Sequence, residues 1–368
     1  MNAPFTANDF YYAILTSKNG KTSGPDGLSI RYYKVNIHAW ARIFEVIHDN
    51  QLHNGQMNKF QRRAHLSLLY KSGDRTLPAN YRLLTLLNHD AKLGPKILAF
   101  RLRLVLPDLI HADQIGFIKG RLIRHSLLRF QDLQEFCKTH HNDACAVMLD
   151  FAKAFDSVSW PALDLVLHRF SFGSTFRAWI KTFYHHTSVS IMRNGSLGIP
   201  FVLGAGVCQG DPLSPGLFVL FIEPMVNFLR ARFSDLGILV DGSFEPHLLL
   251  AYADDSTGLL KDIYDADGTL DLVNDYSTAA GLRLNVDKTS VMPFSHRASR
   301  SKLDNLRATY PFKVLGVTNT VKLLGILQGS TITADERFCH ILLELRARCA
   351  IWKYKARTLR GTRGTSAE

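Results

Sequence analysis

The sequence is poor in the features that would tie it to a secreted, membrane or zinc-stapled class. Its five cysteines (Cys137, Cys145, Cys208, Cys339 and Cys349) are odd in number and scattered, with no Cys-x-x-Cys pair. That excludes a disulfide framework and a structural zinc site as expectations, and a reducing compartment fits. No stretch approaches the ~18 uninterrupted apolar residues of a membrane span. The opening Met1-Asn2-Ala3-Pro4-Phe5 lacks the basic and apolar regions of a secretory signal, so an intracellular site of action is expected. No internal repeat or low-complexity linker is present. An apolar fraction of 46% and a charged fraction of 21% are those of an ordinary folded chain. At 368 residues the chain exceeds the ~250–300 at which single cores stop growing, so two or three subdomains are expected.

Acidic residues are also in short supply, 32 against 44 Lys and Arg, and the resulting net charge of +12 is unevenly spread. From Lys59 to Arg129 there are fourteen basic residues against four Asp, and from Arg337 to Arg363 eight against Glu344 alone. The middle of the chain is near neutral or acidic. Two solvated basic faces would account for this. So would two basic lobes gripping a polyanion on either side of a metal site. Charge alone leaves both open.

Local signals outline the elements. Thr6 caps a helix through Ala7–Leu15, and 17–29 is a turn-rich loop. Helices are expected at 38–53 and at 92–106, the latter stopping before Pro107. Residues 64–74 read as a strand into a Gly-Asp turn, and 116–137 as a loop continuing into a helix. "ACAVMLDF" (144–151) is a continuous apolar run ending in an acid, the pattern of a fully buried strand. Helices follow at 160–170 and 175–185, then a hairpin about Asn194-Gly195 and a long apolar helix from Ser214 or Pro215. A second hairpin has a double acid at its turn, and a helix over 264–280 ends at Gly281. Strands at 282–294, in "FKVLG" and in "VKLLGI" precede a helical, basic tail after Thr333. From 144 to 294 this order suits a ferredoxin-like arrangement, an antiparallel sheet backed by helices.

The double acid is the informative point. "HLLLAYADDSTGLL" (247–260) sets Asp254 beside Asp255 at the end of an apolar strand. Desolvating adjacent carboxylates costs several kcal/mol per ion unless a cation lies between them. In a ferredoxin-like sheet the end of "MLD" lies beside this turn, so Asp150 joins the pair. Three hard oxygen donors suit Mg²⁺, and two such ions about 3.5–4 Å apart clamp an in-line phosphoryl displacement. Taken by itself, a surface Asp-Asp turn is the commoner explanation.

Other segments bear on that choice. In order, "LDFAKAFDSV" (149–158), "QGDPLSP" (209–215), "AYADD" (251–255), "LNVDKT" (284–289) and "KLLGI" (322–326) closely resemble the palm motifs of reverse transcriptases. Upstream, "GKTSGPDGLSIRYYK" (20–34), "YKSGDRTLPANYRLLTLLNHDAKLGPKILAFRL" (70–102) and "DQIGFIKGRLIRHSL" (113–127) are similar to finger-region blocks of non-LTR (LINE-like) retrotransposons. The resemblance spans roughly residues 5–330. It implies an α+β right-hand polymerase: fingers rich in helix over 1–143, a palm with a ferredoxin-like antiparallel sheet and the catalytic centre over 144–312, and primer grip with a short helical thumb over 313–368. It implies an RNA-directed DNA polymerase that adds dNTPs to a DNA primer on an RNA template, with two Mg²⁺ ions that Mn²⁺ can replace. A eukaryotic element of this kind would work in nucleus and cytoplasm. Oligomeric state is left open.

Residue by residue, the resemblance makes Asp150, Asp254 and Asp255 the metal-binding triad, with the Phe151 carbonyl an added ligand. Phe155 matches the aromatic that excludes a ribose 2′-hydroxyl; by composition it could equally be a core Phe. Gln209 and Gly210 match the loop touching nucleotide and template. Lys71 and Arg82 match basic finger residues on the triphosphate, where Arg suits bidentate contact. Lys288 matches a candidate proton donor to pyrophosphate, with a structural role weighing equally. Leu324 and Gly325 resemble the primer-grip turn, and Arg101, Arg103, Arg121 and Arg124 form the basic segment expected on nucleic acid.

Two departures stand out. "RLLT" (82–85) replaces the family's usual Arg-Pro-Ile-Ser, and "KLGPKIL" puts Gly94 and Pro95 early in a helix that is normally better formed, as drift in a decaying element would. The motifs start almost at the first residue and end soon after the primer grip, as in a fragment of a longer polyprotein or a truncated copy. A group II intron-type reverse transcriptase or maturase is the neighbouring alternative, but intron enzymes usually lack the Asp after Gln-Gly. A catalytically silent RNA-binding remnant is the other.

Overall fold

The computed structural model describes residues 1–242 and 244–362, with side chains given except at 79 and 352–362. The N-terminal helix α1 (Ala7–Leu15) starts at a reciprocal capping box, in which Asp9 N–H donates to Thr6 Oγ1 at 3.2 Å and Thr6 N–H to the Asp9 carboxylate at 3.0 Å. Two helices follow, α2 (Ile30–Lys34) and α3 (Ile37–Asn54), the second ending at Gly55 with φ +67°. Then come the antiparallel strands β1 (Arg63–Tyr70) and β2 (Tyr81–Leu87), paired from Ala64↔Leu87 to Tyr70↔Tyr81. Helices α4 (Leu93–Leu109) and α5 (Ile123–His140) lead to β3 (Cys145–Leu149).

Past β3 lie α6 (Trp160–Arg169), α7 (Ser174–Tyr184), β4 (Ser188–Arg193), β5 (Ser196–Leu197) and β6 (Phe201–Val202). The long α8 (Ser214–Phe233) is buried almost all round, as its apolar sequence requires. Next are the hairpin β7 (Leu249–Tyr252) and β8 (Asp255–Leu260), α9 (Ala266–Ala280), β9 (Ser290–Pro293), α10 (Arg300–Thr309) and β10 (Lys313–Val314). A separate hairpin, β11 (Val321–Leu323) and β12 (Ile326–Gln328), precedes α11 (Ala334–Thr362). The basic residues expected on the tail beyond 351 lie outside the described side chains.

Strand β3 is the keystone. It is central in the sheet β10-β9-β3-β8-β7 and buried on both faces. Its odd residues Cys145, Val147 and Leu149 enter the main core, and its even residues Ala146 and Met148 enter a second cluster with Phe130 and Leu133 of α5. This two-residue alternation between two covered faces explains the unbroken apolar run.

Three expectations need correction. The Asn194-Gly195 hairpin forms, but β4 pairs in parallel with β1, so residues 188–202 complete the N-terminal sheet β2-β1-β4-β5 and a boundary at 143 does not separate the two sheets. Over 144–294 the central sheet is antiparallel as expected, and β10, beyond that range, adds to it in parallel with β9. Helix α4 carries Pro107 in its last turn, where losing one N–H is tolerable. Finally, Gly94 reflects packing: a Cβ there would stand 2.7 Å from the Phe183 ring and 2.8 Å from His48 Nε2. Strand β2 and helix α10 carried no signal strong enough to be expected.

Candidate active site

The register Leu149↔Ser256 between β3 and β8 sets Asp150 abreast of Asp255, and Tyr252↔Asp255 closes the β7–β8 turn around Ala253 and Asp254. Residues 104 positions apart thus meet at one sheet edge. Asp150 is fixed through its backbone: its N–H donates to Thr289 Oγ1 at 3.3 Å and its carbonyl accepts from Asn285 N–H at 2.8 Å. The neighbouring Phe151 is buried and bridges to Leu284.

Three carboxylates in one place repel. Desolvation, followed by the Asp254 and Asp150 charges, pushes the Asp255 carboxyl up to about 6. Desolvation also raises Asp254, with Asp150 adding to the shift and Lys71 and Arg82 opposing it. Lys288 Nζ lies 3.7 Å from Asp150 Oδ2. A hard divalent cation is the chemical complement of such a cluster. The donor set fits one, although among the described residues no three acidic, His or Cys side chains are already gathered to hold a single ion.

Lys71 follows β1 and Arg82 lies on β2; both are exposed, and their charges reach the acids. The loop after Gln209 is pinned to the same strand, because Thr85 N–H donates to the Gln209 carbonyl at 2.9 Å. Gly210, at φ +117°, must be glycine there, since a Cβ would stand 2.7 Å from the Thr85 carbonyl oxygen. Behind the loop, Asp211 is buried and accepts from Tyr184 Oη–H at 2.7 Å. Phe155 is half-buried: its ring stacks on Phe218 at 4.3 Å and meets Phe117 edge-on at 6.4 Å.

Leu324 and Gly325 form the β11–β12 turn, with φ of +49° and +88°. Leu324 lines one small cavity with Asp150, Asp255 and Lys288. Lys288 therefore stands at the acids as an ion-pair partner.

The basic segment divides in two. Arg103 and Arg124 are exposed. Arg101 instead pairs with Asp9 at 3.0 Å and donates to the carbonyls of Ala3 and Pro4. Arg121 donates to four main-chain carbonyls, those of Pro107, Ile110, His111 and Gln114. Charge-assisted bonds to backbone, which no local pattern announces, occupy two of the four guanidiniums expected on nucleic acid.

In sequence, the chain is similar to known reverse transcriptases. Residues 70–319 match the family model described as "Reverse transcriptase (RNA-dependent DNA polymerase)". The chain is 30% identical over 360 residues to the "Transposon TX1 uncharacterized 149 kDa protein" of Xenopus laevis, covering 98% of this chain and 27% of that one. It is 28% identical over 195 residues to the "Retrovirus-related Pol polyprotein from type-2 retrotransposable element R2DM" of Drosophila melanogaster, covering 49% and 18%. It thus spans about a quarter or less of the length of these two relatives. A solved structure, apo telomerase from Candida tropicalis truncated from its C-terminal domain, overlaps with a TM-score of 0.49 at 14% identity, over 80% of this chain and 59% of that one, too loose a match to carry weight.

Proposed function

The chain belongs to the reverse transcriptase family, in the form carried by non-LTR retrotransposons, and from that premise we propose that it adds dNTPs to the 3′-hydroxyl of a DNA primer paired with an RNA template. One observation supports the reading: the strand registers bring Asp150, Asp254 and Asp255 to one end of a doubly covered sheet, within reach of the charges of Lys71 and Arg82.

In this reading Asp150, Asp254 and Asp255, with the Phe151 carbonyl, hold Mg²⁺, or Mn²⁺ in its place. The bound ions supply charge neutralisation for the attacking and leaving oxygens. Lys71 and Arg82 bind the triphosphate oxygens, Arg82 with a fork that can hold two at once. The exposed side of Phe155 walls the sugar while Phe218 backs its other face. Gln209 and Gly210 offer backbone to the nascent pair, and the Leu324-Gly325 turn supports the primer end. Lys288, beside Asp150, is the proton donor to departing pyrophosphate. Arg103 and Arg124 contact the nucleic-acid backbone. Residues 1–143 serve as fingers with 188–202 lent to their sheet, 144–312 as palm, and 313–368 as grip and thumb.

Primer extension by the purified chain on an RNA template, with and without Mg²⁺, tests the reading. Template-dependent products that vanish on chelation are expected; hybrid binding without extension would leave only the silent remnant.

A further inference from the structure

The acid turn is held from behind by a segment that the chemistry above does not use. Ala253, between Tyr252 and Asp254, adopts φ +58°, a left-handed conformation that L side chains rarely take. Its peptide groups meet a fully buried side chain, that of Gln114. Gln114 Oε1 accepts from Ala253 N–H at 2.8 Å and from Gly116 N–H at 2.9 Å, and Nε2 donates to the Ala253 carbonyl at 3.3 Å. Gly116 lies so close that a Cβ would stand 2.4 Å from Ala253 N.

The segment is itself immobilised. Asp113 O accepts from Ala251 N–H at 3.0 Å, and Ile115 N–H donates to Ala251 O at 2.8 Å, so it runs as an added partner of β7. The buried Asp113 carboxylate binds Arg129 at 2.7 Å and Arg230 at 2.8 Å. Arg121 draws in the carbonyls on either side.

We propose that Gln114 is a positioning residue: its carboxamide fixes the Ala253 peptide planes and so aims Asp254 and Asp255 at the reaction centre. A carboxamide suits the place because the peptide presents one donor and one acceptor, and the amide side chain answers them with an acceptor and a donor fixed in one plane. Glu would keep the two accepted bonds and lose the donated one; Met would keep the shape and lose all three. The assignment rests on the polymerase reading, so its test includes a measurement that does not need turnover.

Three variants of the full chain are compared with wild type: Gln114→Met, Gln114→Glu and, as a control, Gln51→Met. Gln51 is also a buried glutamine, and its carboxamide is bonded to Gln61 rather than to the acid turn. The readouts are steady-state single-nucleotide incorporation, RNA–DNA hybrid Kd, thermal midpoint and binding of Mn²⁺ alone, followed through the electron paramagnetic resonance of the free ion. Gln114→Met is expected to lower kcat at least tenfold and weaken Mn²⁺ binding at least threefold, with nucleotide KM and hybrid Kd within twofold. Gln114→Glu should fall between it and wild type, and it decides the question by the same readouts if the Met variant does not fold. Gln51→Met should lose stability alone. The proposal is overturned if a folded Gln114 variant keeps wild-type kcat and Mn²⁺ affinity, or if its losses track its thermal midpoint as those of Gln51→Met do. A wild-type chain that binds Mn²⁺ but extends no primer fails the polymerase reading, while the Mn²⁺ comparison still decides the role of Gln114.

Discussion

The acid turn and the basic loop that faces it are held by different means. The turn at 252–255 is braced by buried contacts from distant parts of the chain: Gln114 on its peptides, and Asp113 locked between Arg129 and Arg230. The loop at 71–80 is tied chiefly to itself, through Thr76 N–H to Asp74 at 2.8 Å, Asn80 Nδ2 to Asp74 O at 2.8 Å and Tyr70 Oη–H to Gly73 O at 2.6 Å. Long-range buried bonds hold a geometry that local, exposed ones leave free to swing. Metal ligands need the first kind of support, whereas residues that close on an arriving triphosphate and later release it need the second.

The comparison breaks most completely at its centre. Asp254→Ala should lower nucleotide addition by about three orders of magnitude or more, the scale of losing one member of a catalytic unit. Hybrid binding should change little, because basic side chains hold the polyanion. Extension that survives in this variant, measured beside filter binding on the same preparation, sinks the assignment of the turn.

Asp113→Ala removes the support and leaves two guanidiniums partly buried without their carboxylate, a change worth about 3–5 kcal/mol. Chemical denaturation measures it. Burial would raise the Asp113 carboxyl, but Arg129 and Arg230 together hold it below its ordinary 3.8. Its contribution is therefore fully present above that value and is lost as pH falls through the depressed folded one. The variant should accordingly show a flatter acid limb of stability than the wild type.

Phe155→Ala probes the floor between the two regions. An unpaired buried hydroxyl costs roughly 1–3 kcal/mol, so removing the wall should raise ribonucleotide over deoxyribonucleotide kcat/KM by about tenfold to a few hundredfold. Because the ring also stacks on Phe218, some stability should be lost with it. An unmoved sugar ratio in a folded variant would make Phe155 a core residue only.

The smallest effect belongs to Lys71, which opens the loop, and to Arg82 on the strand that follows it. Lys71→Ala or Arg82→Ala should raise nucleotide KM about tenfold, the size of one charge-assisted bond, with the thermal midpoint unmoved. If either instead destabilised the fold as Asp113→Ala does, the contrast between braced turn and free loop would collapse.

Much of the site was legible before the fold. Asp150 ends an apolar run and Asp254-Asp255 interrupts another, and the ordered blocks around them, rather than the double acid by itself, marked them as a site. Asn194-Gly195, Thr6 and Gly281 marked a turn, a cap and a stop, because each acts on backbone within a few residues of itself. Strand β2 was hidden: "RLLTLL" has no two-residue alternation, and its pairing with β1 is what makes it a strand.

The sequence by itself determined the apolar strands, the acids at their ends, the caps and the order of the motifs, since all of these follow from neighbours along the chain. Only the tertiary structure decided which arginines are free. Arg103 and Arg124 face solvent, while Arg101 and Arg121 are spent on carbonyls. It also decided that β4 joins β1, that Gly94 makes room for Phe183 and His48, and that Gln114 meets Ala253 across 139 positions. The physical reason is shared. A hydrogen bond or a steric contact between distant segments depends on where the whole chain places them, and the residue types at its two ends do not record it.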